Sequence, residues 1–237
     1  MGRIPCRIVS VRHAGVGFWA RDMAFLLQRS MVSTYVPIEF LTANLTLRQA
    51  RALLDVDVFA LKINKYDGLP REPKYIPPSF TGSEPTPTTE FKDPKLYTGG
   101  CHCGAVTIAL KTDGPLSNDA EGFLQCDCSI CMRNGTILAY PSPSQVSVTN
   151  AESLTPYSFA RKFQSHDFCP VCGIAIWLRK LDVSEERWAA EHPDYPYSDF
   201  LQKLPVNLRL FEGVEWDEIE IPNGNWSQRP PKYVCPE

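Results

Sequence analysis

Seven of the nine cysteines fall in three tight clusters: Cys101-His102-Cys103-Gly104, Cys126-Asp127-Cys128-Ser129-Ile130-Cys131, and Cys169-Pro170-Val171-Cys172-Gly173. The last is a CxxC pair followed by glycine, the spacing of a zinc knuckle, in which a tight turn brings two thiolates together. In the first, a strand would send residues i and i+2 to one face, so both thiols could reach one metal. Cys101, Cys103, Cys169 and Cys172 together would complete a closed, tetrahedral four-thiolate site of structural type. Cys126, Cys128 and Cys131 offer three thiols from six residues. Three protein ligands leave one coordination position open, the arrangement of catalytic zinc. An open Zn²⁺ lowers the pKa of a bound water or thiol, or acts as a Lewis acid.

Blander readings compete. The trio could be a redox center, and clustered cysteines can be small buried hydrophobes. His102, between two ligands on a strand, should face away from the metal. His166 precedes Cys169 by three residues and could line a site, but reads better as a solvated loop histidine. Arg133 could bind a carboxylate or simply be solvated. Asn134-Gly135 reads as a turn, and Cys6 and Cys235 as incidental.

The elements that must position these thiols read as short strands. With 237 residues, 43% apolar, the chain can build one sizeable domain or two small ones. Its 21 prolines and 14 glycines favor strands and turns over long helices. Strands are predicted at Gly104–Leu110, Thr136–Tyr140, Gln145–Val148, Tyr157–Phe163, Ile174–Leu178 and Val206–Leu210, giving an all-β domain from about 95 to 225. An acidic, aromatic insertion spans Asp182–Lys203, where Ser184 could cap a short helix through Ala190. Upstream, Thr46–Ala60 has a helical pattern, and a Pro/Thr/Ser/Lys-rich stretch from Asn64 to Pro94 reads as a linker.

Composition narrows the function classes. A net charge of −3 argues against a nucleic-acid binder. No apolar run is long enough to span a bilayer. An odd cysteine total and a start with no secretory pattern point to a reducing compartment, the cytoplasm. A mitochondrial presequence is a lesser reading, because Pro5, Gly15 and Gly17 interrupt any amphipathic helix.

Tyr97–Val106 (YTGGCHCGAV), Cys126–Arg133 (CDCSICMR) and Phe168–Gly173 (FCPVCG), with weaker support from Val206–Leu210 (VNLRL), resemble the glutathione-dependent formaldehyde-activating enzymes, a family that includes centromere-protein-V-like proteins. The resemblance covers about 97 to 233. It implies a mainly β fold, a β-tent of small antiparallel sheets around a structural zinc. It implies that Cys101, Cys103, Cys169 and Cys172 hold that zinc and that Cys126, Cys128 and Cys131 hold a second, more labile one, up to two Zn²⁺ per chain. The implied activity is that of a carbon–sulfur lyase of the S-(hydroxymethyl)glutathione synthase type, with a small thiol such as glutathione as partner. The alternative is a non-catalytic, zinc-stabilized binding module like the centromere-associated relatives. The departures are Met132 and the long insertion after Lys180.

Sliding the chain on itself by 158 residues gives an ungapped echo: Pro73-Lys74-Tyr75 falls on Pro231-Lys232-Tyr233, Arg71 on Arg229 and Ile63 on Ile221. Two readings compete: a chance match of two proline-rich tails, or residues 42–80 as a truncated repeat of the domain's C-terminal part. In the second, residues 42–80 would lie between an irregular segment, 1–41, and a linker, 81–94, ahead of the zinc domain at 95–237.

Overall fold

The computed structural model describes residues 50–52, 57–62, 73–118, 122–228 and 233–234. Residues 1–41, Cys6, Cys235 and most of the expected repeat and of the expected Thr46–Ala60 helix lie outside them; within that helix, Ala50–Ala52 form a 3₁₀ turn. Among the described residues, those up to Val58 fall with Val234 in one unit, and Phe59–Tyr233 form a second.

The second unit is mainly β, with two antiparallel sheets among the described residues. The three-stranded sheet has the order β1 (Pro94–Gly100), β2 (Thr107–Asp113), β5 (Val146–Val148). The six-stranded sheet runs β3 (Phe123–Gln125), β4 (Ile137–Ala139), β9 (Val206–Asn207), β8 (Ala175–Lys180), β7 (Gln164–Phe168), β6 (Thr155–Tyr157). Ile108, Leu110, Phe123, Ala139, Val206, Leu208 and Phe211 belong to one buried core.

Register assigns the two faces of the larger sheet. Phe123 lies opposite Ala139, and Ala139 opposite Val206; all three enter the main core. One residue along, Leu124 lies opposite Leu138, and both pack with Leu178 and the Cys126–Cys131 cluster. Directly opposed residues share a face and neighbors alternate, so the trio sits on the side of this sheet away from the main core.

Several strand boundaries differ from expectation. Gly104–Leu110 begins in a turn, and the strand is Thr107–Asp113. Of the expected strand Tyr157–Phe163 only Tyr157 is strand, as the end of β6; residues 158–163 form the connection to β7, with Ala160 and Lys162 at positive φ, 50° and 54°. Val206–Leu210 is a strand only for its first two residues; Leu208–Leu210 close into a 3₁₀ turn. The insertion forms α2 (Glu185–Glu191) and α3 (Tyr197–Gln202), after α1 (Ser129–Asn134). The Ser184 hydroxyl accepts the Arg187 N–H at 3.3 Å, as the capping expectation requires. The insertion carries its own small core of Phe163, Val183, Trp188 and Phe200, with Trp188 and Phe200 stacked at 4.0 Å.

Candidate metal centers

β1 ends at Gly100, so Cys101 and Cys103 do not alternate along a strand as expected. They share a turn in which the Cys101 N–H donates to the Val106 carbonyl and the Gly104 N–H to the Cys101 carbonyl. Cys169 and Cys172 lie on the corresponding turn between β7 and β8, where the Gly173 N–H donates to the Cys169 carbonyl. Gly104 and Gly173 close the two turns at φ 77° and 74°, a left-handed geometry that side-chain-bearing residues adopt poorly.

The four sulfurs lie within 4.8 Å of one another. Cys101 Sγ is 3.5 Å from Cys103 Sγ, which is 3.6 Å from Cys169 Sγ. A tetrahedral zinc with Zn–S bonds of about 2.3 Å requires S–S edges of about 3.8 Å, so the donor set fits that ion. Burial pushes the Cys101 thiol up to about 12. Burial would also raise Cys172, but backbone N–H donors from Ile174 and Cys103 bring it down to about 7. Cys101, so reluctant to ionize in a packed four-sulfur cage, needs a cation to hold it as thiolate. His102 points out of the cage, as expected: it is exposed, and the Tyr75 ring stacks on it at 4.7 Å.

The second cluster is built by the start of α1. Cys128 is the N-cap, Cys131 lies in the first turn, and Cys126 ends the segment leaving β3. The helix closes at Gly135, whose N–H reaches the Cys131 and Met132 carbonyls; the expected Asn134-Gly135 turn is the end of this helix, with Asn134 its last residue. The three sulfurs also lie within 4.8 Å of one another, with no fourth Cys, His or carboxylate ligand atom in the group among the described residues. The neighboring Cys126 and Cys131 thiols lower Cys128 to about 2, helped by the Cys131 and Ile130 N–H groups. The Cys128 sulfur raises Cys126 to about 12, and Cys126 first, then Cys128, raise Cys131. One sulfur thus holds negative charge while its neighbors keep their protons, and a divalent cation relieves that competition.

The surroundings of the trio were only partly legible. His166 is not a loop residue: it lies on β7 opposite Leu178, and burial lowers its pKa while the negative sulfur of Cys128 opposes the shift. Tyr140, one residue past β4, packs on the same cluster, and burial keeps its phenol protonated. Tyr140 also lines a cleft of about 750 Å³ with Leu110, Thr112, Pro141 and Gln145. Arg133 is committed locally: it donates to the Ser129 carbonyl and sits over the Tyr233 ring at 4.8 Å. Asp127, between two of the thiols, accepts the Ser227 N–H at 3.0 Å and the Ser227 hydroxyl at 2.6 Å, tying the C-terminal segment to the trio loop.

Residues 96–190 match the sequence profile of the glutathione-dependent formaldehyde-activating enzymes. The chain belongs to this family. Both cysteine clusters and the chain from within β1 to within α2 lie inside the match. A Rhodobacter sphaeroides protein of known crystal structure is similar, with 32% identity over 54% of this chain and 99% of that chain and a TM-score of 0.39. No helix among the described residues is long and apolar enough to cross a membrane.

Proposed function

We propose that this member of the formaldehyde-activating family is a zinc-dependent carbon–sulfur lyase that makes and breaks S-hydroxymethyl adducts of glutathione or a related thiol. The observation that carries this reading is the three-thiol cluster with no fourth protein ligand among the described residues. A pure scaffold has no need of an open position. Cys101, Cys103, Cys169 and Cys172 would hold the structural zinc, and Cys126, Cys128 and Cys131 the second, labile one.

When bound there, zinc would favor an incoming thiol in its nucleophilic, thiolate form. In the forward direction the sulfur–carbon bond forms as the carbonyl π pair moves to oxygen, which gains a proton; the reverse reaction breaks the same bond. His166, held neutral by burial, can take the thiol proton on a ring nitrogen. Tyr140, held protonated, can donate to the oxygen that develops negative charge. A compartment that keeps thiols reduced, such as the cytoplasm, suits seven unpaired cysteines. The domain at 95–237 would carry all of this chemistry, with 42–80 a chemically silent partial repeat.

The test is metal analysis of the full chain purified without chelator, followed by exchange spectroscopy of glutathione and formaldehyde. Faster exchange with wild type than with Cys128→Ser supports the reading. Equal rates, both no faster than the uncatalyzed condensation, defeat it.

A further inference from the structure

The Nζ of Lys180 is sealed from solvent and has no hydrogen-bond partner, the one buried side-chain nitrogen or oxygen so placed among the described residues. Its neighbor is the Phe200 ring, 5.1 Å away, which offers a π face but no acceptor. Enclosing an ammonium without a counter-ion is unfavorable, so a structure that does so invites an anion. Burial lowers this ammonium to about 8, which leaves it charged at neutral pH.

Register places the group beside the trio. Lys180 and Leu178 are two apart on β8 and point to one side, about 6.6 Å apart along the strand. Leu178 packs on Cys126 and Cys131. On β7, Gln164 lies opposite Lys180 and His166 opposite Leu178, so both share that side. The face that carries the three thiols therefore carries, one strand repeat away, an uncompensated cation flanked by an amide and an imidazole.

We propose that Lys180 is the anion receptor of this site, taking a carboxylate of a small acidic thiol whose sulfur lies at Cys126, Cys128 and Cys131. The assignment deepens the thiol-adduct reading and rests on it for the identity of the ligand. It makes the substrate class a carboxylate-bearing thiol rather than a neutral one. Lys180 is a specificity residue here and takes no part in bond making.

The test uses the metal-loaded full chain, titrated calorimetrically with glutathione and with S-methylglutathione, which keeps both carboxylates but has no free thiol. Lys180→Met keeps the length of the side chain and removes the charge. Both ligands should bind the variant roughly tenfold or more weakly, as expected for loss of a charged hydrogen bond. The free variant should melt higher than wild type, because its unpaired ammonium is gone. Unchanged affinity for both ligands, no binding of either to wild type, or a lower melting temperature overturns the assignment. Cys128→Ser separates the two readings. If glutathione binding ignores Cys128 but both ligands still need Lys180, the thiol reading fails and the anion receptor stands. If glutathione needs Cys128 and neither ligand needs Lys180, the reverse holds.

Discussion

Tyr75 lies flat on His102, ring centroids 4.7 Å apart and planes within 10°, and its hydroxyl donates to the His102 carbonyl at 3.1 Å. Cβ atoms built on Gly100 and Gly104 would approach Pro78 at 3.3 and 3.1 Å, so the segment before β1 is laid along the Cys101–Gly104 turn. The echo of this tyrosine, Tyr233, lies over Arg133 of the trio helix. Tyr75 and Tyr233 thus each lie against an element that carries a cysteine cluster, one for each.

This cover makes a mild prediction. Tyr75 is exposed, and an exposed stacked pair contributes about 0.5–1.5 kcal/mol. Tyr75→Ala should leave the fold intact and lower the melting temperature slightly. It should speed zinc transfer to a chromogenic chelator from the four-cysteine site, where Cys103 is the exposed ligand. A chain starting at Pro94 should behave the same way. If that truncation unfolds, the segment before β1 is integral to the domain and not a dispensable repeat.

The two clusters should fail differently. Structural zinc binding is worth about 10–16 kcal/mol, comparable with a whole domain's stability. Cys101→Ser should therefore abolish the cooperative thermal transition. Cys128 tops a six-residue helix that Gly135 and the Leu138–Leu178 packing also hold. Cys128→Ser should fold normally and lose only the labile metal, read by native mass spectrometry. Equal collapse of the two variants would erase the division into structural and open sites.

The cysteine clusters were legible because their information is local: a few residues of spacing specify which sulfurs meet. What surrounds them was not. β7 reads QSHDF, a polar run with no strand signature, yet it pairs on both sides. Its buried Asp167 is satisfied by the Ser165 hydroxyl, by Trp177 Nε1 at 3.0 Å and by Arg179 Nε at 2.7 Å, partners that only the folded sheet supplies. That polarity hid the strand and made His166 look like a loop residue. β1 was missed because PKLYTGG carries proline and two glycines. Lys180 showed no signal in the sequence, since its isolation depends on the Phe200 helix folding over it.

Gly99 needs no unusual backbone; it needs room. A Cβ there would sit 1.8 Å from the Leu210 carbonyl oxygen, where Gly99 bridges Phe211 across the main core. Neither backbone can yield without breaking the β1–β2 register, in which Gly99 faces Ile108. Gly99→Ala should cost at least the 1–3 kcal/mol typical of overpacking. A urea midpoint within error of wild type would show that β1 can shift away from the 208–211 turn.

Glu215 ties β1 to the segment after that turn, and its effect should depend on pH. The buried Tyr97 hydroxyl donates to the two Glu215 oxygens at 2.9 and 3.0 Å and accepts the Leu116 N–H at 2.9 Å, while Lys95 pairs with the same carboxylate. Burial alone would raise the Glu215 pKa, but the Lys95 and Tyr97 donors outweigh it and hold the carboxyl below its usual range. A depressed folded-state value means that the unfolded chain binds the proton more readily. The stabilization is therefore complete above the unfolded value, about 4.3, and is lost as pH falls from there through the lower folded value. Glu215→Gln keeps the shape and removes the charge, so it should cost about 1 kcal/mol at pH 7. Acid also strips zinc from thiolates, but wild type and variant share that loss, and it cancels in their difference. Urea unfolding of both proteins from pH 7 downward should give a constant gap to about pH 5 and a shrinking gap below it. A gap that stays constant to pH 3.5 would show that the Glu215 carboxylate gains nothing from Lys95 and Tyr97.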